Sequence, residues 1–79
     1  MKVYEKKSVV PYLESRQLTK AYLKAKSYIE QGMYELVDLR KREPKSLNVF
    51  YFRINRKYRA FGYINKNHEL IVTDISDHQ

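Results

Sequence analysis

The sequence predicts an α+β fold, with two N-terminal helices packed on one face of a three- to four-stranded antiparallel sheet. Two observations carry this reading. Leu18, Tyr22, Ala25 and Ile29 recur at helical spacing, whereas from Met33 onward the apolar period falls to two. Short polar clusters at Asn55–Lys57 and Asn65–Asn67 then cut the second half into strand-sized pieces.

In chain order, Lys2–Tyr4 is a candidate short strand. Pro11 suits the first turn of a helix, where its missing N–H is not needed, and that helix runs to about Arg16. Thr19 is the expected N-cap of a second helix, with Leu18 and Leu23 placed as a hydrophobic staple and Gly32 as the C-terminal stop. Lys20, Lys24 and Lys26 fall largely off its apolar stripe. Leu36–Arg40 is then a candidate strand, Lys41–Leu47 a basic loop containing Pro44, and Asn48–Ile54, Tyr58–Ile64 and Glu69–Ser76 the remaining strands. No repeat, linker or low-complexity run divides the chain, so residues 1–79 are expected to form one domain.

The two middle strands define faces. Phe50, Phe52 and Ile54 point one way, and Val49, Tyr51 and Arg53 the other. In the next strand Tyr58, Ala60, Gly62 and Ile64 oppose Arg59, Phe61 and Tyr63. A turn of odd length at Asn55–Lys57 pairs Arg53 with Arg59 on one face and gathers the apolar set on the other. An even turn would bury one guanidinium, at a cost of several kcal/mol (~2–7 for an unpaired polar group, more for a charge), which favours the odd turn.

The formal charge is +7, and its distribution says more than its size. Residues 40–59 carry eight Lys/Arg (Arg40, Lys41, Arg42, Lys45, Arg53, Arg56, Lys57, Arg59) against Glu43 alone. The flanking segments are nearly balanced, at seven basic to five acidic before and one to three after. Such clustering favours an anionic partner, a nucleic acid or an acidic protein, over a merely solvated face. With no cysteine there is no disulfide or thiolate metal site, and no Cys/His cluster or glycine-rich phosphate loop supports metal or nucleotide-cofactor chemistry. No stretch is long and apolar enough to span a membrane and nothing at Met1–Val10 reads as a signal peptide, so the expected location is the cytoplasm, with no membrane partner.

The segment Phe52–Gly62, FRINRKYRAFG, followed by Val72–Gln79, VTDISDHQ, resembles the C-terminal half of the RelE/ParE superfamily of toxins from type II toxin–antitoxin systems, its HigB-like branch above all. The shared features are an arginine-bearing strand entering an R-I-N turn, a Y-R strand after it, and a terminal acidic–histidine segment. The resemblance covers roughly residues 18–79. It implies a microbial RNase-like fold and metal-independent endoribonuclease cleavage of mRNA on the ribosome, hence translation inhibition, with a cognate antitoxin protein as partner. ParE relatives share the fold and inhibit DNA gyrase by protein binding, so fold alone does not fix function. A degenerate member that only binds RNA is a third reading. The short tail after the motif favours the ParE-like reading; His78 and the paired arginines favour the nuclease.

Metal-free RNA cleavage needs a base for the 2′-hydroxyl, cations for the phosphorane and an acid for the departing 5′-oxygen. Histidine suits proton transfer near neutral pH, and arginine grips phosphate oxygens while staying charged. Arg53 is a candidate phosphate clamp, or else an exposed residue limiting aggregation; Arg59 is a clamp, or else a structural bridge to Asp74 or Asp77. His78 is a frayed terminal residue on sequence position alone and the proton-transfer residue if the resemblance holds, with Asp77 orienting it. Arg40, Lys41, Arg42, Lys45, Arg56 and Lys57 are candidate RNA contacts, with a solvated loop as the alternative. Tyr51 and Tyr63 either stack on splayed bases or pack against the sheet, Tyr58 belongs to the core, and His68 is expected to be exposed.

Overall fold

A computed structural model describes residues 1–77 of the protein. The elements are β1 (Val3–Glu5), α1 (Val9–Ser15), α2 (Thr19–Glu30), β2 (Arg40–Lys41), β3 (Phe50–Arg53), β4 (Arg59–Ile64) and β5 (Leu70–Ser76). The α+β class is observed. The sheet, however, has five strands in the order β1-β5-β4-β3-β2, and it is mixed. The first strand joins β5 in parallel, Val3 opposite Leu70 and Glu5 opposite Val72, so an edge strand precedes the helices and both helices lie on the crossover between β1 and β2. A three-residue strand shows too few alternations for periodicity to announce its partner or its direction.

α2 buries Leu18, Tyr22, Ala25 and Ile29, the stripe read from the sequence. Its N-cap is Leu18, which offers no side-chain cap, rather than Thr19. Leu23 is 53 % exposed, so no staple forms: Leu18 is instead drawn into the core, its amide bonded to the Leu13 carbonyl at 2.8 Å. Gly32, at φ +80°, ends the helix as expected. The segment 36–40 is a larger departure. Tyr34–Val37 forms a short 3-10 helix, Asp38 takes a left-handed conformation (φ 55°), and only Arg40–Lys41 pairs as a strand. Val37 alone of this stretch is fully buried, so one anchor, not an alternating face, fixes it.

Side chains from both helices (Val9, Leu13, Tyr22, Ala25, Ile29) and from one face of the sheet (Val3, Phe52, Ala60, Leu70, Val72) form a single buried cluster. Phe52 meets Tyr22 with ring centroids 6.1 Å apart. Phe50 and Tyr58 are half-buried against its edge. Tyr22 also closes a polar seam: its hydroxyl donates to Glu5 Oε2 at 2.8 Å, and Lys26 Nζ reaches the same oxygen at 2.8 Å. Burial and the adjacent Glu5 carboxylate push the Tyr22 phenol up, so it stays a donor. Glu30 Oε2 accepts from the Val3 amide at 3.0 Å, satisfying a backbone donor of the edge strand.

The register of β3 on β4 is Phe52 opposite Ala60 and Arg53 opposite Arg59, as the odd turn requires. Between β4 and β5 it slips at Phe61/Gly62: Phe61 faces Asp74 but Gly62 faces Val72, leaving Thr73 as a β-bulge. Gly62 makes the bulge possible, since an added Cβ would overlap the Ile71 carbonyl oxygen and touch Val72 Cα at 3.0 Å.

Phe52→Ala is expected to cost roughly 3–5 kcal/mol in chemical denaturation. Gly62→Ala, although it adds a single methyl, is expected to destabilise by at least about 2 kcal/mol, because backbone and not a movable side chain lies in its way. A denaturation midpoint for either variant within error of the parent contradicts the packing described.

Candidate nucleic-acid interface

The face of the sheet turned away from the helices carries the candidate residues in rows set by the register. One row runs Arg53, Arg59, Ser76 across β3, β4 and β5. The next runs Arg40, Tyr51, Phe61, Asp74 across β2 to β5. A third places Tyr63 beside Ile71 and, on β1, Tyr4. Directly opposed side chains have Cβ atoms about 4.5–5.5 Å apart, so Arg53 and Arg59 leave the sheet side by side on this face.

The Thr73 bulge decides the composition of this surface. Leu70 and Val72 point into the core, and strict alternation would send Asp74 and Ser76 after them. The extra residue flips the phase, so Ile75 packs against the core and Asp74 and Ser76 reach the open face.

Two like charges directly opposite each other repel. Asp38 relieves part of that repulsion: its Oδ2 accepts from Arg53 at 2.8 Å and its Oδ1 from Arg40 at 3.2 Å. The left-handed turn at Asp38 aims one carboxylate between two strands. Arg40, by hydrogen bond and charge, and then Arg53 hold the Asp38 carboxyl below its ordinary value. Sequence reasoning missed this residue. Its signal was an acidic side chain, tolerant of a left-handed backbone, directly before the basic run at Arg40–Arg42.

The aromatic members divide. Tyr51 is half-buried and stacks on Phe61 (centroids 5.7 Å, interplanar angle 29°), whereas Tyr63 is 44 % exposed. The Arg42 guanidinium lies over the Phe61 ring at 5.7 Å. Arg42, Phe61, Tyr63, Asn48, Thr73 and Asp74 contribute to an open cleft of about 760 Å³ on this face.

The other candidates stand elsewhere. Lys41 is paired with Phe50 and sits over that ring at 5.6 Å, on the helix side of the sheet. Lys45 is exposed in a 3-10 turn, Lys45–Leu47. Arg56 and Lys57 are exposed at the tip of the β3–β4 hairpin, with Lys57 Nζ 5.6 Å from the Tyr58 ring. His68 is exposed in the β4–β5 turn. Asp77 is exposed beyond the end of β5, and His78, to which proton transfer was assigned, lies outside the described residues. Among the described residues no group of His, Cys, Asp and Glu could hold a metal ion, and no helix is long and apolar enough to cross a membrane.

The Asp38 carboxyl is expected to titrate below about 3.9, its usual value, in a carbon-13 NMR pH series. Arg40→Ala should raise that midpoint more than Arg53→Ala. The depressed value also fixes a sign: whatever the two ion pairs add to stability is present above the ordinary carboxylate range and lost as pH falls through the lowered midpoint. A midpoint unmoved by either substitution contradicts the bridge.

No model of a known protein family matches the chain, and no curated protein matches it.

Proposed function

We propose that the protein is an endoribonuclease toxin of a type II toxin–antitoxin pair, with a RelE-like, microbial RNase-like fold, cleaving mRNA on the ribosome without a metal. The observation that carries this reading is the opposed pair Arg53–Arg59 on an open sheet face that also holds Arg40, Arg42 and exposed Tyr63. Two arginines side by side on the sheet are suited to grip one phosphate, as Arg53 already grips the Asp38 carboxylate, and the face lies away from the helices, where a single strand can reach it. In this reading the 2′-oxygen attacks phosphorus, the arginines stabilise the added negative charge, and His78, with Asp77 beside it in sequence, transfers the proton. The P–O5′ bond breaks, leaving a 2′,3′-cyclic phosphate and a 5′-hydroxyl. A cognate acidic antitoxin would neutralise the basic excess of residues 40–59.

One observation favours a second reading, a ParE-like inhibitor that binds DNA gyrase. Arg53 already holds a carboxylate, that of Asp38, as it would hold one from a protein partner.

Single-turnover cleavage on programmed ribosomes tests the proposal. Arg53→Ala and Arg59→Ala should each lose on the order of 10²–10³ in rate. His78→Ala should lose about 10²–10⁴, with RNA binding nearly intact. Arg42→Ala should weaken binding, whereas Lys41→Ala, on the opposite face, should do neither. Wild-type rates in His78→Ala would remove histidine from the mechanism, and toxicity without RNA cleavage would move the protein to the gyrase reading.

A further inference from the structure

The Asp38 carboxylate occupies the place where Arg53 would hold a phosphate. Its Oδ2 accepts from Arg53 Nη2 at 2.8 Å and its Oδ1 from Arg40 Nη2 at 3.2 Å, so one anion spans two strands. A phosphodiester carries the same single negative charge over two oxygens, and guanidinium groups grip both anions alike. The side chains of Arg40, Arg53 and Asp38 are 65, 50 and 40 % exposed, so an incoming anion can reach the bridge from solvent.

The bridge does not hold together the turn that carries it. Val37 is buried, the Asp38 amide donates to the Glu35 carbonyl at 3.3 Å, and the Leu39 amide donates to the Tyr34 carbonyl at 3.1 Å. Backbone bonds and one apolar anchor set the turn, and ion pairs this exposed add little to stability. Asp38 sits there at φ 55°, a conformation that most side chains avoid and that Asp and Asn tolerate. Arg40 and then Arg53 hold its carboxyl below the ordinary range, so it meets an arriving phosphate as a full anion. An acid is thus delivered to the arginines by a turn that does not need it.

We infer that Asp38 is an internal competitor for phosphate, a tethered anion that holds Arg53 and Arg40 when no strand is bound and that a strand's phosphate must displace. The inference rests on the reading of Arg53 as a phosphate ligand and names how that site is regulated. An apparent dissociation constant is the intrinsic one divided by the open fraction, so a bridge closed about nine-tenths of the time weakens phosphate about tenfold. The opposite arrangement, in which Asp38 positions Arg53 for phosphate, gives the opposite sign: loss of the carboxylate would then weaken binding.

The test is binding of two probes to the full chain. One is a fluorescein-labelled 2′-O-methyl oligouridine, which cannot be cleaved, read by anisotropy at fixed salt. The other is inorganic phosphate, read by NMR at the Arg53 side chain. Asp38→Asn, which suits the left-handed turn, should tighten both about tenfold. Glu35→Gln removes the same charge from an exposed position three residues earlier, and should change either by less than about twofold. In an Arg53→Ala background the gain from Asp38→Asn should shrink below about threefold. In the unaltered protein, saturating phosphate should move the Asp38 carboxyl carbon-13 resonance, a readout that depends on no variant. Unchanged or weaker binding by Asp38→Asn overturns the inference. So does a gain matched by Glu35→Gln or kept in full without Arg53, or an Asp38 resonance that saturating phosphate leaves unmoved. The two readings fail separately: tighter phosphate without RNA binding rejects only the RNA surface, and RNA binding indifferent to Asp38→Asn rejects only the competitor. Binding of neither probe rejects both.

Discussion

Asn55 governs the hairpin on which the rest of the structure is arranged. Its Oδ1 accepts from the Lys57 and Tyr58 amides at 2.9 and 2.8 Å, while the Ile54 amide donates to the Tyr58 carbonyl at 3.0 Å. These bonds close a turn that sets Arg53 opposite Arg59. The individual bonds are modest, about 1 kcal/mol each. What they decide is larger. A slip of one residue would exchange the faces of β3, carrying Arg53 into the helix layer and Phe52 into solvent, and burying an unpaired charge costs several times any one turn contact. Core and charged face are therefore two results of one register.

A second registry device acts across β4 and β5. The Gly62 gap admits the Ile71 backbone, the Thr73 bulge follows, and a strand that begins by feeding the core with Leu70 and Val72 ends by feeding the open face with Asp74 and Ser76. The two devices together give the sheet one apolar side and one side of arginines, aromatics and a single row-end carboxylate. Asp38, coming from a left-handed turn outside the sheet, trims the charge where the arginines crowd.

Most of what was legible in the sequence lay where a period ran long enough to be read. The α2 stripe spans twelve residues, and the alternation of Phe52 and Arg53 against Ala60 and Arg59 was fixed by the expense of burying a guanidinium. The rest turned on tertiary context. β2 is two residues long, and β1 three, so neither carries a pattern. Thr19 is a better capping residue than Leu18 by side-chain chemistry, yet burial of Leu18 placed the helix start one residue earlier. The bulge was written in the strand as a change of apolar phase between Val72 and Ile75, opposite a glycine, but a single phase change reads as noise without the partner strand. The arginine pair was visible as a pair; the acid that holds one of its members was not, because Asp38 approaches from a turn that looked like a strand.

The parallel seam between β1 and β5 has a kinetic consequence. β2 to β5 form a meander of neighbouring hairpins, each closed over a short stretch of chain, whereas Val3 finds Leu70 across nearly the whole sequence. Closing that span carries the largest loop entropy in the molecule, and it repays nothing until β5 exists. The Lys6 amide, bonded to the Val72 carbonyl at 2.9 Å, extends the same seam. The hairpins that carry the charged face can thus assemble before the helices are locked down, and the seam at β1 acts as the clasp that turns a partly ordered sheet into a cooperative whole.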